Sequence, residues 1–457
     1  MSVKLLIFKI YFSIADIFVR FFIQPILLAY TLLYCRYIGT KKRNLQEKPR
    51  LVWGPIPLIN NKYYNLAMRA AGYSSLTFMK NRYEINKDED YDKYYKDFVP
   101  KASKHFALEQ LYMRHLNGYL AFCHCIRNYD IFHHPFSGGF LQSTPLWKIE
   151  AKLLKRAKCK VVILGYGADF YRYSKVLNLS WLHGLLSHYP QMQQLEDRVE
   201  KNVMYWSHNA DCVINGMQID HLGRWDVLPY RAECIDTDAW TPRQNYSNND
   251  GINGVVKLVH APNHRIIKGT EFLIKAVDDL KKEGLQIELI LLEKKPNDEV
   301  KRILHEEADI FFDQLILGYA MSTIEALAMG LPVMTNLENE DYVRVFRRYS
   351  YINECPALSV SHENLKENVR TLVRNPALRK ELGETGRKYA EKYHSFKTIQ
   401  YMFGKVYDKI WHGDQNVNLI NMFHPLFPDS YNNTLPVIQH PLKENKVPQE
   451  LYQHLNH

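Results

Sequence analysis

Residues His260–Leu280 read HAPNHRIIKGTEFLIKAVDDL, and Asp309–Leu337 read DIFFDQLILGYAMSTIEALAMGLPVMTNL. The run VVKLVH (255–260) before the first stretch is short, apolar and rich in valine, which suits a buried strand. Phe272, Leu273, Ala276, Val277 and Leu280 then recur at helical spacing, and Gly284 follows as a stop signal. IELILLE (287–293), a helix marked by Val300, Ile303 and Leu304, the strand ADIFF, the helix STIEALAM ending at Gly330, and the strand LPVMT continue the alternation. Strand and helix exchanging over short connections predict a parallel sheet covered by helices. Ligands of such sheets sit at the carboxyl ends of the strands. Arg265, Lys268 and Ser322 all follow strand ends, so two cations and a helix N-terminus can hold a diphosphate there.

A second α/β unit precedes this one. RLVW (50–53), SSLTFM (74–79), YDIFHH (129–134), KVVILGYGAD (160–169), DCVI (211–214) and DVLP (226–229) read as strands, each followed by a polar or glycine-bearing loop. CIDTDAWTPRQNYSNNDGING (234–254) clusters Asn, Asp, Ser and Gly and reads as a linker. The expected division is an N-terminal helical segment over 1–45, a first Rossmann-like domain over 46–240, a second over 241–411 and a tail over 412–457. The tail, without apolar periodicity, reads as a surface wrap or a disordered segment.

Charge is concentrated at the start of the chain. Residues 1–50 carry nine Lys or Arg against Asp16 and Glu47, whereas the remainder is nearly balanced in a protein of net charge +10. A nucleic-acid binder needs a basic stripe on its folded domain, so that class is set aside. The basic residues bracket FFIQPILLAYTLLYC (21–35), which is shorter than the ~20 residues of a straight span. Three membrane readings stay open: an interfacial or re-entrant anchor, a single span that the cations after it would keep cytosolic, and a cleaved signal. A helix packed on the protein's own domain is the alternative without a membrane. Seven cysteines, an odd number without framework spacing, fit reduced thiols. Cys123, His124 and Cys125 sit too close together for a usual zinc site. There is no G-x-S-x-G elbow and no P-loop.

The R-x-x-K-G loop at Arg265–Gly269, the segment EALAMGLPV from Glu325 to Val333 and the linker IDTDAWTP together resemble the retaining glycosyltransferases of family 4, which have the GT-B fold. The resemblance covers roughly residues 50–411. It implies an α/β chain of two Rossmann-like domains facing a cleft, acting on a nucleotide sugar and a glycan or lipid-linked acceptor, with no obligatory metal. Arg265 and Lys268 would then contact the donor phosphates. Gly318, Ser322 and Thr323 would line the phosphate site at the helix start, and Glu325 would bind the ribose. The family's Glu-x7-Glu pair is incomplete, since its first position is Leu317; Asp313 and Gln314 are the nearest polar residues. In the first unit, His133, with His134 as the fallback, matches a family histidine that orients a sugar or takes a proton. GYGAD (165–169) resembles a family loop that makes Asp169 an acceptor contact, against the plain reading of a helix cap. Two further readings share these motifs: a sugar-nucleotide epimerase of similar fold, and a catalytically silent nucleotide-binding partner of a membrane transferase.

Overall fold

The computed structural model describes residues 13–41, 43–83, 86–98, 106–215, 222–316, 318–337 and 340–442. Leu317 and the end of the tail lie outside them. The chain builds two all-parallel sheets. The first contains β1 (Leu51–Trp53), β2 (Ser75–Met79), β3 (Lys93–Tyr94), β4 (Ile131–His134), β5 (Lys160–Leu164) and β6 (Cys212–Ile214), in the order β3-β2-β1-β4-β5-β6. The second contains β7 (Val256–His260), β8 (Ile287–Leu291), β9 (Ile310–Phe312), β10 (Val333–Thr335) and β11 (Leu358–Ser359), in the order β11-β10-β9-β7-β8. Strands such as β1, β4, β6, β9 and β10 are buried throughout, as apolar runs covered on both faces should be. The α/β class expected from the sequence is the observed one.

Each order reverses once, and the reversals fix where a crevice opens. In the first sheet the chain switches direction between β1 and β4, which pair in parallel from Leu51↔Ile131 to Trp53↔His133. In the second it switches between β7 and β9, with His260 opposite Phe312 at the carboxyl end. The loops carrying Arg265, Lys268 and Asp313 therefore leave the second sheet at its switch point.

Some local readings change. DVLP does not form a strand: Val227 makes one isolated bridge to Ile214, while the Asp226 carboxylate accepts from the Val213 amide at 2.8 Å. β3 and β11 have two residues each, too short to leave a periodic signature in the sequence. The helix Phe396–Ile410 buries Ile399, Met402, Phe403, Val406 and Tyr407, spaced as one helical face. That face lies on the first unit rather than the second. Phe403 packs edge-on against Trp53 at 5.0 Å and Tyr64 at 5.4 Å, and Gln400 donates to the Ala67 carbonyl at 2.9 Å. The following segment wraps back, burying Met422, Phe423 and Tyr431. All seven cysteines are buried and none forms a disulfide.

Candidate functional site

Lys268 ends the short helix Arg265–Lys268, and Gly269 turns the chain with φ +75° into the helix Thr270–Lys282. A Cβ at Gly269 would lie 2.8 Å from Leu315, so this turn needs glycine both for its backbone and for its packing. The turn sends Lys268 inward, where it is buried and ion-paired with Asp313 at the end of β9. Asp313 also accepts from the Ala320 amide at 3.0 Å, the Ser322 hydroxyl at 3.0 Å and the Thr323 hydroxyl at 2.8 Å. These groups begin the helix Met321–Ala328. Burial pushes the Asp313 carboxyl up, but the Lys268 charge and these donors outweigh it and hold the group below the ordinary range. Lys268, Ser322 and Thr323 thus converge as the sequence suggested, on a carboxylate supplied by the chain itself. The anion position at this helix start is filled by Asp313.

Arg265 behaves differently. It is partly exposed, bonding Glu271 at 2.7 Å and Glu293 at 3.1 Å. It shares a short helix with Lys268 but stands at the outer rim. Gly318 closes the loop after β9; its carbonyl accepts from Gln314 at 3.0 Å and from the Thr335 hydroxyl at 2.5 Å. Glu325, one turn into the helix, is buried. Burial raises its carboxyl to about 7, a rise opposed by a hydrogen bond from Asn297 and increased by the nearby Asp313 charge.

The first-unit candidates are held by the protein rather than presented to a ligand. His133 is buried and stacks on Trp53 with ring centroids 3.7 Å apart. Its Nδ1 lies 3.1 Å from the Val52 carbonyl and its Nε2 2.9 Å from the Tyr407 hydroxyl, and burial lowers its pKa to about 3. Both ring nitrogens are therefore spent on structure, and His133 joins β4 to the helix Phe396–Ile410. His134 points to the opposite face, edge-on to Trp206 at 4.3 Å; burial lowers it to about 4. Asp169 accepts from the amides of Phe136, Tyr166 and Gly167 at 2.8–3.0 Å, which ties the loops after β4 and β5 together. Burial pushes it up to about 6 despite those bonds. Glu150 does the same for the loop Gly139–Leu141, accepting from the Leu141 amide at 3.1 Å, and burial raises it to about 8.

The two units meet across these strand ends. The helix Leu179–His188 packs on Arg265–Lys268, with Gly184 close to Ile267, and the Tyr189 hydroxyl lies 2.7 Å from His264 Nε2. Lys87 reaches across to Asp298 at 2.9 Å. At the carboxyl strand ends of the first unit a cavity of about 40 Å³ is lined by Asn60, Tyr64, Tyr166, Arg231 and Glu233. The sequence reading passed over Arg231 and Glu233, which sit in the segment before the linker. Their only sequence signal is a charged pair in an otherwise apolar crossover, and Arg231 bonds Glu233 at 3.4 Å. A larger open groove of about 1150 Å³ lies elsewhere, between residues 236–238, 385–400 and 431–439, and none of the site residues lines it.

Two Rossmann-like sheets oppose their carboxyl edges, and the last long helix returns to the first. The architecture is GT-B. No family model matches the sequence, and no curated protein matches it. Among solved structures, the GT-B chain is similar to a sucrose-phosphate synthase from Thermosynechococcus elongatus, at 13% identity and TM-score 0.49 over 80% of this chain and 100% of that one. It is similar to the catalytic domain of starch synthase IV from Arabidopsis thaliana, at 9% identity and TM-score 0.48 over 80% and 100%. A trehalose 6-phosphate synthase from Burkholderia multivorans aligns at 10% identity and TM-score 0.43 over 78% and 96%. Likeness at this level carries no argument about the reaction, which rests on the site.

Proposed function

We propose that this protein is a retaining glycosyltransferase that moves a sugar from a nucleotide-sugar donor to a glycan or lipid-linked acceptor, in the synthesis of a surface polysaccharide or glycoconjugate. The observation that carries the proposal is the cluster of Lys268, Asp313, Ser322 and Thr323 at the switch point of the second sheet, beside the buried Glu325. A donor diphosphate would displace the Asp313 carboxylate from this cluster and take over the ammonium, the hydroxyls and the helix-end amide. As the glycosidic bond stretches, charge grows on the leaving diphosphate. One fixed donor aimed at such charge is worth roughly 3 kcal/mol in the transition state. Glu325 lies deeper, where a carboxylate can accept from ribose hydroxyls. The acceptor would enter from the first unit, past Asn60, Tyr166, Arg231 and Glu233. No step in this scheme requires a divalent metal. The N-terminal helix would place the enzyme on the cytoplasmic side of a membrane.

Calorimetric titration with nucleoside diphosphates tests the donor site directly. Binding that K268A abolishes and E325Q weakens supports the proposal; binding indifferent to both removes it. The occupied anion position favours a second reading, a nucleotide-binding partner without turnover. Sugar transfer by the purified protein alone excludes that reading.

A further inference from the structure

The helix Ser13–Thr40 is 28 residues long and apolar enough to cross a membrane by length and composition. Its side chains are sorted into two faces. The inner face carries Asp16, Gln24 and Thr31. Asp16, the only acidic residue in the helix, lies 2.7 Å from His115 Nε2 and 3.1 Å from Arg114, and Gln24 lies 3.0 Å from His115 Nδ1. Thr31, Cys35 and Ile38 are buried, and Leu28 and Leu32 pack with them on the first unit. Near its end, a Cβ on Gly39 would stand 2.1 Å from the Arg156 carbonyl, so two backbones touch there. Beyond the helix, Arg43 pairs with Asp130 and donates to the Ile126 carbonyl at 2.9 Å. The attachment thus holds the helix at two places, around Asp16 and Gln24 and from Thr31 to Arg43, and leaves most of its surface uncovered. The outer face is apolar: Ile17, Phe21, Phe22, Ile26, Leu33 and Tyr37 are each more than half exposed. Arg20 and Arg36 are exposed along the same helix, and Lys41 is exposed just past its end.

We infer that this outer face is a lipid-binding surface that lies in the plane of an anionic membrane interface and does not cross the bilayer. The inference rests on the membrane location proposed above and fixes its geometry. A helix tied to the first unit near both ends, through Asp16 and Gln24 at one and through Thr31, Cys35, Ile38 and Gly39 at the other, cannot enter the hydrocarbon core end-on while that unit stays outside. An apolar face flanked by cations, with the one acid turned inward, matches the chemistry of an anionic interface. The direction of the helix adds a consequence for the site. Asn117–Asn128 leads directly into β4, and Asn117 donates to the Tyr95 carbonyl while Tyr95 donates to Phe140, beyond the carboxyl end of β4. The His115 end of this helical pair, with Asp16 and Gln24, is therefore level with the carboxyl strand edges. The described part of the lipid-facing surface thus reaches the height of the cleft, which suits an acceptor held in the membrane.

The test uses the full-length protein and vesicles of neutral phosphatidylcholine with or without phosphatidylglycerol. The protein should float with the anionic vesicles and at least several-fold less with the neutral ones. The double variant F21E/F22E should reduce partition at least tenfold with an unchanged melting temperature, because both rings are exposed. Single cysteines at Ile17, Ile26 and Leu33 carrying a fluorophore should be quenched equally by lipids with a shallow nitroxide. If the wild-type protein does not float, the membrane location itself falls. If it floats and Ile26 is quenched best by a deep nitroxide, the location stands and the in-plane geometry is overturned. Partition unaffected by F21E/F22E, or equal on neutral and anionic vesicles, likewise overturns the surface assigned here.

Discussion

Lys268 and Asp313, from loops after neighbouring strands at the switch point of the second sheet, form a buried ion pair at the start of the helix Met321–Ala328. The chain thereby fills with its own carboxylate the place where the proposed ligand would put its phosphate. Removing one partner of a buried pair costs about 3–5 kcal/mol, because the other charge is left uncompensated. D313N keeps one oxygen, which can still accept from Thr323 and Ala320 or from Ser322 but not from both sets, and removes the charge facing Lys268. It should lower the melting temperature of the free protein, and pyrophosphate should restore more of it than in the wild type. Thermal-shift titration with pyrophosphate checks this, and weaker binding to D313N than to wild type would contradict it.

Arg265 and Lys268 should not be equivalent. Arg265 is partly exposed and its pairs with Glu271 and Glu293 are surface pairs, which contribute little to stability. R265A should leave the urea midpoint nearly unchanged and weaken diphosphate binding by a few-fold. K268A should abolish that binding and lower stability as well. Urea unfolding and calorimetry on the two single variants separate the effects.

Glu325 gives a pH signature of definite sign. Burial raises its pKa to about 7, above the value near 4.3 of an unfolded glutamate. The folded state therefore keeps a proton that the unfolded state has lost, and the contribution to stability declines as pH rises from about 4.3 to about 7. E325Q should remove that decline. The variant should match the wild type at pH 5 and exceed it at pH 8 by up to ~3 kcal/mol, while losing affinity for the nucleoside. Denaturation curves at the two pH values measure the difference.

His133 should act on stability rather than on chemistry. Y407F deletes its hydroxyl partner and should cost about 1 kcal/mol, with the pH–rate profile of any transferase activity unchanged. Burial lowers His133 to about 3 and His134 to about 4, below the ordinary value near 6.5. The unfolded chain therefore takes up protons that the folded one refuses, and stability should fall as pH drops below ~6.5. Measured against H133Q, a comparison that cancels the opposite contribution of Glu325, the wild type's advantage in melting temperature should shrink from pH 7 to pH 5; an advantage that stays constant would contradict this.

Much of the second unit was legible in the sequence because its signals are local. The valine-rich run before His260, the helical spacing from Leu273 to Leu280 and the stop at Gly284 all act within a few residues, and the strands and helix stand where they pointed. Lys268, Ser322 and Thr323 could be grouped because parallel strands bring their carboxyl ends to one edge. Asp313 was visible only as a polar residue near a missing glutamate. Its role as the carboxylate that gathers those donors needs β9 beside β7. His133 was misleading for a similar reason: a histidine at a strand end reads as available until the helix Phe396–Ile410 arrives and Tyr407 covers it.

The sequence by itself determined the alternation of strand and helix, the two units, the strand-end position of the cations and an apolar amino-terminal helix, since each depends on residue periodicity over one or two turns. Only the tertiary structure decided which carboxylate faces Lys268, that Arg265 stands at the rim, that His133 is a packing residue and which face of the first helix stays bare. Those outcomes depend on pairings between residues 45 to 274 positions apart. Such pairings are set by sheet order and burial, which no local pattern encodes.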